Sequence, residues 1–465
     1  MKLINNILAF FIIAGIVSSC SDFGDMNINP DAPTSAEPSF LITNTLYKIG
    51  DQTAVNGFEY SGTMTQAFGK WDFNTIDHYN IESNTSVWVN NYKLLGDLND
   101  VLSSDKANPS MKAVAKILKA YIGAQLTNLY GHVPFSEAAN KDNLTPKYDT
   151  QEEIYTATNG VLDLLDQAIS ELNADTGAIT GDVLFNGDKG RWVTLSNVLK
   201  LKYLLRISDQ YASAGSKIQA IVSSGDLFSS DTDNATLFYG QEPNNWFLST
   251  VRDGDFNLYS MTNSVKTMFE DRADTRISFY YGLNSDGSFV GLEPGTFDRP
   301  DPEIPELNYS LLSLNLRASD VMNMVFATYY QQEFILAEAA LKGYIDSSSA
   351  ETHYNNAVNA AFTYRNINIP ADYLSNPAKG AWDGTLENLI TQKYLANLMV
   401  GYENWFDYRR TGFPVLSASL NNINSDQIPI RFKYPTEESF TNGQNYDQAV
   451  SAMGADTYNV SAWWD

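Results

Sequence analysis

Apolar residues recur at helical spacing along most of the chain. In the stretch 386–411 an apolar residue stands at every fourth position, which keeps one face of a helix buried. These positions are Leu386, Ile390, Tyr394, Leu398, Tyr402 and Phe406. Gly412 and Pro414 come next, and both residue types end helices. The same spacing predicts further helices over 37–50, 86–102, 111–130, 152–172, 191–212 and 217–223.

One later segment has the small and aromatic residues of a tetratricopeptide helix-turn-helix unit. Its matching positions are Ala340, Gly343, Tyr344, Ala350, Tyr354, Ala357 and Ala361. With the other predicted hairpins, it indicates a scaffold of stacked helices over 86–223 and 328–412. Between 224 and 327 the helical pattern gives way to turns, except over 261–273. The predicted fold is therefore all-α and tetratricopeptide-like, with a loop-rich, ligand-facing insertion and a C-terminal segment over 413–465.

The first residues have the pattern of a lipoprotein signal peptide. Lys2 precedes an apolar run from Leu3 to Val17, which is too short to span a bilayer as a helix. The run ends in small residues directly before Cys20, the only cysteine of the chain. We interpret 1–19 as a signal peptide and Cys20 as the lipidation site, although a signal peptide followed by an incidental cysteine has the same outline. Residues 20–36, rich in Asp, Asn and Pro, are then a lipidated tether, and 37–465 form the folded domain.

The net charge of the chain excludes some classes of binding partner. The chain has 30 basic and 55 acidic residues and a formal net charge of −25. A field of that sign repels nucleic-acid phosphates and anionic membrane surfaces, so nucleic-acid partners and electrostatic membrane binding are not expected.

Motifs for catalysis and for cofactors are absent from the sequence. Its histidines are His78, His132 and His353, and their spacing does not match a zinc site. Asp253, Asp255 and Asn257 alternate as calcium ligands do, but the glycine and the terminal glutamate of a calcium loop are missing. With so many acidic residues, a glycosidase-like carboxylate pair stays open as an alternative. We predict neither a metal nor a cofactor.

Two groups of residues are candidates for a binding role. Glu403, Asp407, Arg409, Arg410 and Arg431 fall among aromatic residues, and we interpret them as a structural network because buried charges must be paired. The second group consists of aromatic residues and asparagines in turn-rich stretches. Each ring taken singly fits a core equally well, but the set resembles a stacking platform with hydrogen-bonding neighbours. The predicted ligand-binding residues are Trp71, Phe73, Asn74, Tyr79, Asn245, Trp246, Tyr281, Asn308 and Tyr309.

Several motifs in order along the chain resemble one family. "GYENWFDYRRTGFP", "IPIRFKYPTEE" and the Trp463-Trp464-Asp465 tail are similar to the C-terminal signature of the SusD/RagB nutrient-binding outer-membrane lipoproteins, in the SusD-like branch. Upstream, "QLTNLYGHVPFSEA", "RWVTLSNVLKLKYLLRIS" and "YYQQEFILAEAALKGY" continue the likeness. The resemblance implies a non-enzymatic surface protein, anchored by lipid to the outer membrane, that captures oligosaccharides or peptides. It also implies delivery of the ligand to a SusC-like TonB-dependent transporter. A surface glycoside hydrolase and a structural repeat adaptor are the alternatives.

Overall fold

The fold was obtained as a computed structural model, which describes residues 36–81, 84–241, 244–296, 308–318 and 322–465. Helices dominate these residues. Helices of six or more residues are α1 Pro38–Asn56, α2 Thr85–Ser103, α3 Pro109–Tyr130, α4 Gln151–Thr156, α5 Val161–Ala174, α6 Lys189–Arg206, α7 Ala214–Ser224, α8 Asn263–Glu270, α9 Tyr329–Leu341, α10 Ala350–Tyr364, α11 Leu386–Ala396, α12 Glu403–Thr411 and α13 Gly443–Met453. Shorter helical turns are Gly57–Ser61, Gly62–Met64, Asp231–Asp233, Phe247–Thr250, Asp253–Phe256, Ile277–Tyr280, Leu314–Arg317, Ser347–Ser349 and Glu438–Thr441.

The strands are short and form two-stranded antiparallel sheets. They are β1 Phe68–Lys70, β2 Ala235–Phe238, β3 Tyr259–Met261 and β4 Asn323–Ala327. Strand β1 pairs with β3, and β2 pairs with β4. The all-α prediction is confirmed, and the strands fall in or beside the stretches where the helical pattern is weak.

Side chains that cap helix ends explain several of the helix boundaries. Asn108 accepts a hydrogen bond from the Met111 amide at 2.9 Å, which fixes the start of α3. Thr150 and Glu153 form a reciprocal capping box at the start of α4. Gly412 ends α12 in the left-handed conformation, at φ 75°, as the sequence predicts.

Two helices predicted as continuous are broken. The stretch 152–172 divides into α4 and α5, because Ala157 is extended and Asn159 has a left-handed backbone. The stretch 386–411 divides into α11 and α12 around Met399 and Gly401, both with positive φ. A Cβ atom placed on Gly57 would lie 2.4 Å from the Gly401 backbone, so two main chains meet too closely for side chains between them. Hydrophobic periodicity carries no signal for such a close approach.

The helices pack as consecutive pairs around a shared core. Helix α3 contacts α2 and α5, α6 packs on α5, and α9 packs on α10. A second hydrophobic cluster lies between α9, α10 and α11, with Tyr330, Phe334 and Tyr354 fully buried. The helix pair predicted from the tetratricopeptide spacing is α9–α10.

The charged cluster of α12 is a buried ion-pair network, as predicted. Asp407 contacts Lys393 at 2.8 Å and Arg410 at 3.0 Å, and Arg410 also pairs with Glu338. Burial raises the pKa of Asp407, but Lys393 and Arg410 outweigh it and bring that pKa down to about 2. Each of these side chains is at least nine-tenths buried, so the network belongs to the scaffold.

Candidate functional site

Short strands bring together four parts of the chain that are far apart in sequence. Lys70 in β1 stands opposite Tyr259 in β3, so the residue after β1, Trp71, lies beside the turn before β3. Leu311 forms an isolated bridge with Ser260 on β3. Tyr281 and Leu312 form another bridge. Together these contacts bring four segments close to one another, namely 71–73, 256–259, 281–285 and 309–314.

A cleft of about 440 Å³ opens at this junction. We call it the junction cleft, and its lining residues are Phe256, Asn257, Gly282, Leu283, Asn284, Ser285, Tyr309, Leu311, Leu312, Ser313 and Leu314. The cleft is of the size that proteins use for small ligands. None of these residues is an Asp, Glu, Lys or Arg. In a chain with net charge −25, a cleft whose described lining residues are uncharged favours uncharged ligands.

The cations nearest the junction cleft in sequence are already paired. Arg317 forms an ion pair with Asp253 and also donates to the Val251 carbonyl. Arg252 pairs with Asp255 at 2.9 Å. Arg317 is therefore engaged by two partners, whereas the Arg252 pair is largely exposed to solvent and weak.

Trp71 stands at the edge of the cleft, and Phe73 lies two residues further along the same loop. The Trp71 indole Nε1 donates a hydrogen bond of 2.9 Å to the carbonyl of Asn257, a lining residue, and its ring is partly exposed. Phe73 is 74% exposed and has a left-handed backbone with φ 49°. The exposed phenyl ring gains no stabilisation from burial, although its backbone conformation is strained. Contact with a ligand would bury the ring and provide that stabilisation. Trp71 and Tyr309 give the cleft aromatic surfaces of the kind on which flat ligands stack.

Three predicted aromatic residues are core residues instead. Tyr79 is fully buried, and its hydroxyl accepts a hydrogen bond from the Ser419 amide at 2.8 Å. Trp246 is fully buried, and its Nε1 donates to the Leu316 carbonyl at 2.9 Å. Tyr281 is 1% exposed, and its hydroxyl donates to the Ala67 carbonyl. The expectation that these rings face a ligand is corrected, because each has its polar atom bonded inside the protein.

The predicted asparagines take different positions. Asn74 is buried beneath the 71–80 loop. Asn245 is partly buried and donates to the Ser249 hydroxyl at 3.0 Å, within its own turn. Asn308 is exposed and directly precedes the lining residue Tyr309. The structure therefore brings Trp71 and Tyr309 to the junction cleft, with Phe73 and Asn308 close to them in sequence, and leaves Asn245 outside it.

The sequence did not identify most residues that line the cleft. Leu283 and Leu314 are 57% and 72% exposed, and both line the same cleft. Each of them lies beside residues that form turns. A leucine in a stretch without hydrophobic periodicity is the sequence signal that could have identified these lining residues. Asn257 was considered only as part of a calcium-like fragment.

The structure also bears on metals and membranes. Among the described residues, no group of three or more His, Cys, Asp or Glu side chains is placed to hold a metal ion. No helix in the described part of the chain is long and apolar enough to cross a bilayer. Cys20, the predicted lipidation site, lies outside the described residues.

Comparison with known protein families decides the relationship. Residues 30–435 match a SusD-like family model described as "Starch-binding associating with outer membrane". The chain belongs to the SusD-like family. A comparison with curated proteins finds no match.

Solved structures of SusD-like proteins have the same fold. A chitin-binding protein is 26% identical, with a TM-score of 0.80, and the match covers 92% of this chain and 100% of that one. A SusD homologue from Bacteroides fragilis is 24% identical, with a TM-score of 0.77 over 92% of this chain and 99% of the other. A chitin-binding SusD homologue from Flavobacterium johnsoniae is 20% identical, with a TM-score of 0.79 over 91% of this chain and 97% of the other.

Membership of this family defines the class of activity. SusD-like proteins are associated with the outer membrane and are binding proteins, not enzymes. Nutrient capture is the activity that the family and its chitin-binding members support.

Proposed function

We propose that this SusD-like protein captures uncharged oligosaccharides at the junction cleft and delivers them to a SusC-like TonB-dependent transporter of the outer membrane. The observation that carries the proposal is the composition of the cleft. Aromatic and aliphatic side chains occur there together with amides and hydroxyls, and none of the described residues that line it is charged. Sugars present apolar C–H faces and hydroxyl groups, and both can be satisfied by such a surface.

The charge of the surroundings supports an uncharged ligand. Bringing a uronic acid or a sulfated sugar to the junction cleft would place an anion among Asp253, Asp255 and the other acidic groups of a chain with net charge −25. Of the arginines that could neutralise it, Arg317 is held by a carboxylate, and Arg252 is paired only weakly. Neutral glycans do not meet this repulsion, and starch-type and chitin-type oligosaccharides are both neutral.

A chitin-type ligand is favoured by the leucines of the cleft. The chitin-binding protein that is 26% identical to this chain matches over 92% of it. Leu283, Leu311 and Leu314 line the cleft and offer apolar surface for the methyl groups of N-acetylated sugars. Peptides remain an alternative ligand class, and binding of peptides in place of glycans would contradict the proposal.

Anchoring and delivery are the second part of the proposal. Cys20, with small residues before it and an apolar run upstream, supports lipidation and display on the outer membrane. Membership of an outer-membrane family supports a transporter partner of the SusC type. Copurification from detergent-solubilised membranes tests the partner, since a tagged protein should bring down one large β-barrel protein in stoichiometric amount. Recovery of the tagged protein without any such partner would contradict delivery.

The binding site is tested by isothermal titration with chitohexaose and maltohexaose. Trp71→Ala and Phe73→Ala should each weaken binding several-fold, since stacking on an aromatic ring contributes roughly 0.5–1.5 kcal/mol beyond area burial. Phe40→Ala is the matched control for Phe73→Ala, because Phe40 is 71% exposed but lies in the first turn of α1. The control should bind as the wild type does.

The contrary results are distinct. If both cleft variants keep full affinity while the wild type binds glycans, the ligand site lies elsewhere on the protein. If Trp71→Ala unfolds, Phe73→Ala still tests the cleft, because its side chain is mostly exposed. If the wild type binds charged oligosaccharides such as oligogalacturonate more tightly than neutral ones, the uncharged-ligand argument fails.

A further inference from the structure

A long groove runs along one face of helix α2 and does not include any residue of the junction cleft. Its first part has a volume of about 570 Å³ and its second part about 680 Å³. The parts share Lys93 from α2 and Ala139, Asn140 and Lys141 from the loop that follows α3. We call the two parts together the scaffold groove. Its α2 residues extend from Trp88 to Ser103, which corresponds to about 22 Å of helix.

The two ends of the scaffold groove differ in chemistry. The first part has aromatic and apolar walls, formed by Trp88, Val89, Tyr92, Pro134 and Leu144. The second part is polar, and its groups both donate and accept hydrogen bonds. Its polar residues are Lys93, Asp97, Asn99, Asp100, Ser103, Lys119, Ser136, Glu137, Asn140 and Lys141.

The loop that forms the far wall is held in place by hydrogen bonds. The Tyr92 hydroxyl donates to the Pro134 carbonyl at 2.8 Å, and the Asn99 amide donates to the Ala138 carbonyl at 3.0 Å. At the apolar end, Asn442 donates to the Pro146 carbonyl at 2.7 Å. The groove is therefore preformed and does not need a ligand to order its walls, which lowers the entropy cost of binding.

Gly96 lies in the interior of α2 and lines the polar part of the groove, three residues after Lys93, which lines both parts. A glycine there costs roughly 0.5–1 kcal/mol relative to alanine. Packing does not require it, because an added Cβ would meet only the Ala139 Cβ, at 3.9 Å. The missing side chain leaves room for a ligand in the polar part. Since the two parts share four lining residues, an extended ligand can lie across both.

We infer that the scaffold groove is a second oligosaccharide-binding site, separate from the junction cleft. An extended ligand with C–H faces and many hydroxyl groups matches an aromatic end joined to an end rich in both donors and acceptors. Charges of both signs line the polar part, so it is not suited to a polymer of one charge. This inference rests on the proposed function, because it assigns the same class of ligand to a second face of the protein. Two sites on one chain would hold a long glycan by avidity.

Gly96→Gln provides the test, with Gly96→Ala as its matched control. Both replacements favour the helix, so both variants should melt at or above the wild-type temperature. Only Gln has a side chain long enough to obstruct the groove. Chitohexaose and maltohexaose are titrated into the wild type, Trp71→Ala, Gly96→Gln and the double variant. Retention in gels that contain glycol chitin or soluble starch is measured in parallel.

We expect Trp71→Ala to keep a residual glycan site of unchanged affinity beside the weakened junction cleft, and the double variant to lose that residual site and keep only the weakened cleft. On the polymer gels, Gly96→Gln should lose at least about tenfold in retention, and Gly96→Ala should match the wild type. If the double variant and Trp71→Ala behave alike, the groove inference is overturned while glycan capture at the junction cleft stands. If the wild type binds no glycan at all, the proposed function fails first. If peptides of a tryptic digest of casein bind at the residual site and glycans do not, the assignment of an oligosaccharide ligand is wrong.

Discussion

Asp77 is a buried acid in the loop that also carries Trp71 and Phe73. It is fully buried; its Oδ1 accepts a hydrogen bond from the Lys70 amide at 3.1 Å, and its Oδ2 has no hydrogen-bond partner. Burial raises its pKa from 3.8 to about 7, against the opposing effect of Lys70. We predict that Asp77→Asn stabilises the protein at alkaline pH, because it keeps the side-chain oxygen and removes the buried charge.

The sign and the size of the effect on stability follow from the pKa of Asp77. The folded protein holds this proton more tightly than the unfolded chain, so stability declines as the pH rises from about 4 to about 7. A pKa difference of about three between the two states corresponds to about 4 kcal/mol in total, of which about 3 kcal/mol falls between pH 5 and pH 8. The neighbouring titratable groups are Lys70, Glu59, Tyr259 and Tyr79. All of them remain in the variant, so their effects largely cancel in the comparison.

Urea denaturation followed by circular dichroism at pH 5 and pH 8 measures the effect. The free energy of unfolding of Asp77→Asn relative to wild type should rise by about 3 kcal/mol between the two pH values. Asp105→Asn, at an exposed acid, is the control and should follow the wild type at both. Equal pH dependence of wild type and Asp77→Asn would refute the reasoning. It would show that Asp77 is solvated or ionised in the folded protein.

Three further predictions concern the scaffold and the anchor. Asp407→Ala should lower the free energy of unfolding by about 3–5 kcal/mol, because it strands buried cations; an unchanged melting temperature would mean that the cluster is solvated. Gly57→Ala should cost about 1–3 kcal/mol by forcing Gly401 away, whereas Gly96→Ala should not destabilise, and calorimetry compares the two. Cys20→Ala should abolish incorporation of radiolabelled palmitate and release the protein from membranes, and unchanged labelling would contradict the lipid anchor.

Helices could be predicted from the sequence because their signal is local. A buried helix face repeats within a few residues, as at Ile390 and Tyr394, and caps such as Asn108 act on the next turn. The break between α11 and α12 was missed because its cause is the approach of Gly57, which lies far away in sequence.

The candidate site could be predicted only in part. A ring in a stretch without periodicity was taken as exposed, which holds for Phe73 but not for Trp246 or Tyr281. Contacts between distant parts of the chain bury those rings: Trp246 packs on Phe58 and donates to Leu316, and Tyr281 donates to Ala67. The hydrogen bond from Trp71 to Asn257, for example, spans 186 residues. Sequence patterns do not reveal which leucines stay exposed at such a junction.

The central claim is capture of an intact neutral glycan, and one experiment tests it directly. The purified protein is incubated with fluorescently labelled chitohexaose, the bound fraction is separated by size exclusion, and the recovered sugar is analysed by chromatography. We predict that the wild type retains the label, that Trp71→Ala retains several-fold less, and that all recovered sugar is full-length. Shortened sugars released by the wild type would contradict the claim and would favour a surface glycoside hydrolase.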